Sequence, residues 1–553
     1  MSAGLVLCGQ DGPAMRLFFR LSREWLRRHW PLAALVAVSL LGAALTVYGT
    51  ANGPWGQSDA AAYLAAARSL ARGAGLGFPD PNGQFHFLVH YPPFYSLLLA
   101  LFYAPGGDLL ATPRWLDVFF SAGTIFGCGY MFIRFSRSPW LALPAALLVG
   151  VFPMTVRMSH AAMSEPLFLF LLVWAGYALL AALRGGRRSL VAAALLMGLL
   201  PLTRYIGVAL LAAGALGVAW LSTGGWGERL RRAALFSGLA ALPILAWLTW
   251  VYLATDHETA GRTFQMGLED VGEKLRLFAS LFAKVVWEWL PYHPFYPATK
   301  SRLRLVVLLL AALLAAGLTF LARRRGRPAA AAQTAFPIFG VFGLAALTYA
   351  LALLAAYLFS APTPDVDERM LLPFYVSLML CLLGALAVWQ TAWQRKRRWM
   401  AGLVWLVTGL FLAWWLPQTL YYLQEDHAGW GVTVYAWRES PTLQALSELP
   451  AGQPVVSDNA ALVLLWTGRP VYDLTATLRP DFIAGEAVYG SDLSDPAQQA
   501  FCQAGAPLVL FGDLAAWLQA SHGEAGRQRL QSLLAPLPGR EFSDGEIYSC
   551  RLP

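Results

Sequence analysis

Apolar stretches long enough, or nearly so, to cross a lipid bilayer recur along most of this chain, and they constrain its fold more than any other feature. They run roughly over 30–49, 113–134, 139–156, 164–183, 189–200, 205–221, 233–253, 303–322, 335–358, 370–392 and 399–419. A hydrocarbon core of about 30 Å needs about 20 apolar residues in a helix, and backbone polar groups within it must be satisfied internally. The chain is therefore a polytopic α-helical membrane protein with about eleven transmembrane helices. A composition 57% hydrophobic and 13% charged agrees with this.

The formal charge of +9 would suit a nucleic-acid partner if the basic residues shared one surface. Instead they cluster in alternate loops. Arg16, Arg20, Arg23, Arg27 and Arg28 precede the first run; Arg134 and Arg137, then Arg184, Arg187 and Arg188, then Arg229, Arg231 and Arg232 follow in every second connection. Arg323 to Arg327 and Arg395 to Arg398 continue the series. The bias of Lys and Arg toward the cytoplasmic side makes this basicity topological: the N-terminus lies inside, the C-terminal region lies outside in an inner (plasma) membrane, and no nucleic-acid partner is implied. The chain divides into a cytoplasmic tail (1–29), a membrane region (30–420) with a large first outer loop (50–112), and an extracytoplasmic α/β domain (421–553). The first run is of span length and no small-residue cleavage site follows it, so it reads as a retained helix.

The first outer loop carries the most specific pattern. Ser58 reads as an N-cap, Asp59 opens the helix, Tyr63, Leu64, Ala67 and Leu70 recur at helical spacing, and Gly73 stops it, giving a short amphipathic helix. Asp59 has two readings here, a cap for backbone amides or a catalytic carboxylate. Downstream, Pro92 to Ala104 is too short to span and has no basic residue at its far end; it reads as an interfacial or re-entrant helix starting at Pro92-Pro93.

The other outer connections hold the remaining candidates. Glu165 opens a run with Pro166 in its first turn, where a carboxylate also gains from the helix dipole. Arg204 sits at the break Leu200-Pro-Leu-Thr-Arg204-Tyr205, suited to a phosphate or to snorkelling. Glu368 and Arg369 stand at the mouth of a later run, where Glu368 could simply neutralise its neighbour. After about 421, Pro454-Val-Val-Ser-Asp and Pro507-Leu-Val-Leu-Phe-Gly read as buried strands, with helices at 440–449 and 515–533. That domain shows no Gly-rich phosphate loop, metal-ligand spacing or Ser/His/Asp grouping. Of five cysteines only Cys502 and Cys550 fall in it, and a single disulfide between them is one alternative.

Carboxylates, arginines and aromatics thus gather at the outer ends of the runs, beneath a loop that folds onto the membrane. Arginine engages two phosphate oxygens at once, and a carboxylate can activate a hydroxyl. In this order the Asp59 helix, Tyr91-Pro-Pro-Phe-Tyr95, Ser164-Glu165-Pro166, Leu202-Thr-Arg204 and Glu368-Arg369 with Leu372-Pro373 resemble the motifs of GT-C membrane glycosyltransferases. They are most similar to the bacterial family 39 type, related to protein O-mannosyltransferases and lipid A aminoarabinose transferases. The resemblance implies a GT-C fold and inverting transfer from a polyprenyl-phosphate sugar donor to an extracytoplasmic acceptor, beside membrane lipids. It implies Asp59 and Glu165 as catalytic carboxylates, Arg204, Arg369 and His90 at the donor phosphate, and Tyr63, Tyr91 and Glu368 at the substrate. Two departures stand out: Ala60 follows Asp59 where the mannosyltransferases have an Asp-Glu pair, and His90 stands where the aminoarabinose enzymes have a lysine. A divalent ion is left open, since related oligosaccharyltransferases hold one with carboxylates and Asp59, Glu165 and His90 would serve if they converge. A lipid-linked sugar flippase or a non-catalytic assembly factor are the competing readings.

Overall fold

The described residues open with one long helix, Pro13–Gly49, whose last 21 residues, His29–Gly49, are apolar enough to cross a membrane. The computed structural model describes residues 13–136, 138–255, 263–264, 271–290, 332–361, 363–392, 397–450, 452–474, 496–502, 505–535 and 537–550. Among these, seven helices have the length and apolarity of spans: His29–Gly49, Ala111–Phe135, Glu165–Ala182, Trp226–Ala254, Phe336–Phe359, Glu368–Gln390 and Trp399–Ala428.

The other four of the eleven expected runs meet different fates. The run at 139–156 is a pair, Pro139–Gly150 and Pro153–Ser159, bent by 68°; Pro153 supplies no amide to continue the first ladder. The two runs around Pro201 are the helices Arg187–Thr203 and Val208–Leu221. Each falls short of span length, and they meet at Arg204, whose φ of −148° is extended. Helix Arg187–Thr203 passes through Pro201 and ends at Thr203. The chain then folds back tightly enough that a Cβ on Gly207 would stand 2.5 Å from the Leu200 carbonyl carbon. The run at 303–322, the basic stretch at 323–327, Tyr292, His293, Tyr296 and Lys300 lie outside the described residues, as does the Cys502 side chain.

Arg134, Arg184 and Arg232 collect at one end of the bundle. Arg184 reaches the carbonyls of Arg134 and Phe135, and Arg232 donates to that of Ala182 at 2.7 Å. Glu165 lies at the opposite end of the same helix as Ala182, about 26 Å away at 1.5 Å per residue.

At the Glu165 end, the segment from Asn52 to Gly56 threads between two others as a short backbone ladder. Trp55 N–H donates to His160 O and Ala162 N–H to Trp55 O, each at 2.9 Å. On its other edge Val432 N–H donates to Gly56 O at 2.8 Å and Tyr435 N–H to Asn52 O at 2.9 Å. Beneath the ladder, the buried pair His160 Nδ1 and Asp426 Oδ2, 2.8 Å apart, ties the bent helix pair to the end of helix Arg397–Ala428. Gly49 is tied to this pair by space, because a Cβ there would lie 2.6 Å from the imidazole.

The ladder launches helix Ser58–Ala71, which departs from expectation in two ways. Gln57, with no side-chain cap bond, holds the cap position and Ser58 is the first helical residue. Ala60 to Ala67 are all buried, so the helix is inserted among its neighbours instead of lying amphipathic on a surface. Alanines make this possible because their small side chains let other elements approach on every side. Helix Phe94–Phe102 follows Pro92-Pro93 as expected; it buries Tyr95, Ser96 and Leu99 while Leu101 and Phe102 are 74% and 61% exposed. An apolar face this open suits contact with lipid.

The described residues after 441 build a five-stranded sheet in the order Val471–Asp473, Val455–Ser457, Leu508–Leu510, Glu546–Tyr548, Gly539–Glu541. The first three strands are parallel and the last two antiparallel. The two strands read from the sequence are its buried centre. Helix Ala460–Thr467 is capped by Asn459, whose side-chain oxygen accepts from the Leu462 amide at 3.0 Å, and it packs against the Asp59 helix. Arg68 cements that contact, donating to the carbonyls of Leu465 at 2.6 Å and Leu464 at 3.0 Å. A guanidinium there satisfies carbonyls that the end of a helix leaves unpaired.

Candidate functional site

Asp59 lies at the first turn of its helix, 27% exposed. Its carboxylate does not serve as a cap: one oxygen accepts from the Tyr91 hydroxyl at 2.7 Å and the other from Arg369 at 3.2 Å. Burial and the adjacent Asp59 charge hold the Tyr91 hydroxyl above the ordinary phenol range, so it stays protonated and donates. Burial does the same to Tyr63, whose hydroxyl meets Ser164 Oγ at 3.3 Å and whose ring packs on Tyr91 and Tyr95.

Glu165, 3% exposed, lies between two arginines, paired with Arg204 and 3.4 Å from Arg369 Nε. Two guanidiniums this close repel unless an anion stands between them, and Glu165 supplies it. Arg204 also reaches Ser164 Oγ and Met370 Sδ at 3.4 and 3.0 Å. Asp59, Glu165, Arg204 and Arg369 form one linked lattice of two acids and two guanidiniums.

This lattice faces a cavity of about 700 Å3, lined by Asp59, Tyr63, His90, Tyr91, Arg204 and Arg369 on its polar side. Val208, Ala209, Leu351 and Ala352, from helices Val208–Leu221 and Ala332–Phe359, form its apolar wall. Six of the eight residues singled out in the sequence thus converge on one cavity. Glu165 stands behind its arginines and lines no described cavity. Glu368 faces a separate, smaller cavity that also touches Asp59.

A cation site of Asp59, Glu165 and His90 does not fit this arrangement. Arg369 occupies the space between the two carboxylates, and no group of three metal-ligating side chains occurs among the described residues.

Two polar groups escaped the sequence reading. Asp117, fully buried on helix Ala111–Phe135, lies within electrostatic reach of Glu165 and the Tyr95 hydroxyl; a carboxylate inside an apolar run was its available signal. The pair His160 and Asp426 had none, being 266 residues apart.

No family model matches the sequence, and no curated protein matches it either. A solved structure shares its fold. The apo crystal structure of ArnT from Cupriavidus metallidurans aligns at a TM-score of 0.50 and 15% identity, over 94% of this chain and 98% of its own. The same protein bound to undecaprenyl phosphate gives 0.48 over the same shares. The cryo-EM structure of the arabinofuranosyltransferase AftD from Mycobacteria gives 0.49 at 16% identity, over 94% of this chain and 40% of that one. At these identities the likeness is one of fold, and it rests on the alignment with apo ArnT.

Proposed function

We propose that this protein is an integral membrane glycosyltransferase that moves a sugar from a polyprenyl-phosphate donor to an acceptor outside the cytoplasm, with inversion and with Asp59 as general base. The observation that carries this reading is Asp59 bound to Arg369, with Arg204 on the same polar side of a cavity whose other wall is apolar. A lipid phosphate needs such a place: guanidiniums for the head and a hydrocarbon surface for the chain. The gathering of arginines at the far end of the bundle supports a cytoplasmic position for that end, and an extracytoplasmic one for Asp59 and the C-terminal sheet.

In the proposed step Asp59 takes the proton of an acceptor hydroxyl as its oxygen bonds to the anomeric carbon. The bond from that carbon to the phosphate oxygen breaks, and its electron pair leaves with polyprenyl phosphate. Arg204 and Arg369 stabilise the charge growing on the leaving group, the kind of preorganised electrostatics that carries much of catalysis. Arg369 is bound to Asp59 at rest; an arriving phosphate competes for it and frees the base. Glu165 acts through the arginines it positions. Tyr91 orients Asp59 by its hydrogen bond.

Mass spectrometry of lipids and envelope glycans from cells with and without the protein tests this. Cells lacking it should accumulate a polyprenyl-phosphate sugar and lose one glycan modification. Unchanged lipid-linked sugars together with unchanged glycans would reject a transferase.

A further inference from the structure

Asp59 is reached through two cavities, and their linings differ in kind. The first holds both arginines and the apolar wall. The second, of about 470 Å3, shares Asp59, Asp365 and Arg369 with the first, so the reactive carboxylate and its arginine stand where the two meet. Its remaining wall has Trp55 and Trp430, stacked at 4.5 Å between ring centroids, and the carboxylates of Asp367 and Glu368. Its other cation among the described residues, Arg157, is engaged: Glu425 lies 3.1 Å from it, and its guanidinium sits over the rings of Tyr422 and Trp430 at 4.3 and 5.0 Å. A third cavity, of about 880 Å3, adjoins through Gln57, which lines both, and runs between the first loop and the C-terminal sheet. The charged side chains on its described wall include Asp80, Asp458, Asp473 and Asp513, and no lysine or arginine.

We propose that the second and third cavities receive the acceptor, and that the acceptor is an uncharged glycan chain. This rests on Asp59 being the base. A sugar offers hydroxyl donors, which carboxylates accept, and a C–H face that packs on indole, so the half-buried Trp430, with Asp367 and Glu368, matches it on both counts. The volumes fall in the range of ligand pockets. An acceptor bearing phosphates or carboxylates would meet the acids Asp59, Asp365 and Asp367, and Asp80 further out, and the arginines on these walls are Arg157, held by Glu425, and Arg369, which the donor claims. The division assigns phosphate recognition to the arginine cavity and hydroxyl recognition to the acidic, aromatic ones.

The test uses the full-length protein in lipid nanodiscs loaded with undecaprenyl phosphate, applied to an array of uncharged hexose and pentose oligosaccharides and the same chains phosphorylated. Uncharged chains should be retained at least about tenfold better than their phosphorylated forms, since like-charge juxtaposition easily exceeds one decade in affinity. Glu368→Lys should erase that discrimination, and Trp430→Ala should weaken retention of uncharged chains. Undecaprenyl phosphate binding by each variant shows that it is folded. Preference of the wild type for phosphorylated chains, or retention of no uncharged chain, would overturn the proposal while bound undecaprenyl phosphate leaves the transferase reading standing. Failure of the wild type to bind undecaprenyl phosphate would instead count against the transferase reading.

Discussion

Four charges within hydrogen-bonding reach of one another, two acids and two guanidiniums, are unusual in so apolar a chain, and each makes a separable demand. If Arg204 and Arg369 hold a phosphate, Arg204→Gln or Arg369→Gln should weaken undecaprenyl phosphate binding by about 1.5–3 kcal/mol, the worth of a charge-assisted bond. Lysine should restore part of it, lacking the planar fork; unchanged affinity in both Gln variants would remove the arginines from the site. Glu165→Gln should behave differently from a change at Asp59. It leaves two half-buried guanidiniums without their shared anion, and breaking a fully buried pair costs about 3–5 kcal/mol, an upper bound here. Its melting temperature should therefore fall along with transfer, and an unaltered melting temperature would contradict the positioning role. These residues were legible in the sequence because charge at the edge of an apolar run has few innocent explanations. Asp117 was equally conspicuous and was overlooked.

Among the elements, the clamp around Asn52 to Gly56 sets where the Asp59 helix begins. Gly49→Ala should push the imidazole of His160 away from Asp426, because the new Cβ would fall 2.6 Å from the ring. Overpacking of this kind costs about 1–3 kcal/mol, read as a lower melting temperature of the purified protein; no change would show that the clamp yields. The helices around the site were found from the sequence with nearly correct limits, but their surroundings were not. An alanine-rich segment with Tyr63, Leu64 and Leu70 at helical spacing reads as amphipathic, and only the neighbours that close over Ala60 to Ala67 show it is enveloped. Nor does sequence carry the partner of His160, since pairing across 266 residues depends on how the bundle closes.

Across the whole molecule, the described residues separate charge along the bundle, with Arg134, Arg184 and Arg232 at one end and mixed charge at the other. Single cysteines at Arg188 and Gln84 should be labelled from the cytoplasmic and the outer side respectively; labelling of Gln84 from the cytoplasm would reverse the topology and remove the site from its proposed compartment. Span-length apolar runs made the membrane fold legible, whereas short or bent runs at 139–156 and around Pro201 did not reveal whether each crosses, because local hydropathy is silent on bends. The account stands or falls on Asp59. An asparagine in its place keeps the size and most of the hydrogen bonding to Tyr91 but cannot take a proton, and general-base catalysis is worth roughly 10²–10⁴ in rate. The decisive measurement is transfer by purified Asp59→Asn beside its binding of undecaprenyl phosphate: the account predicts normal purification, retained lipid binding and a rate lower by at least about a hundredfold, and wild-type transfer by that variant would contradict it.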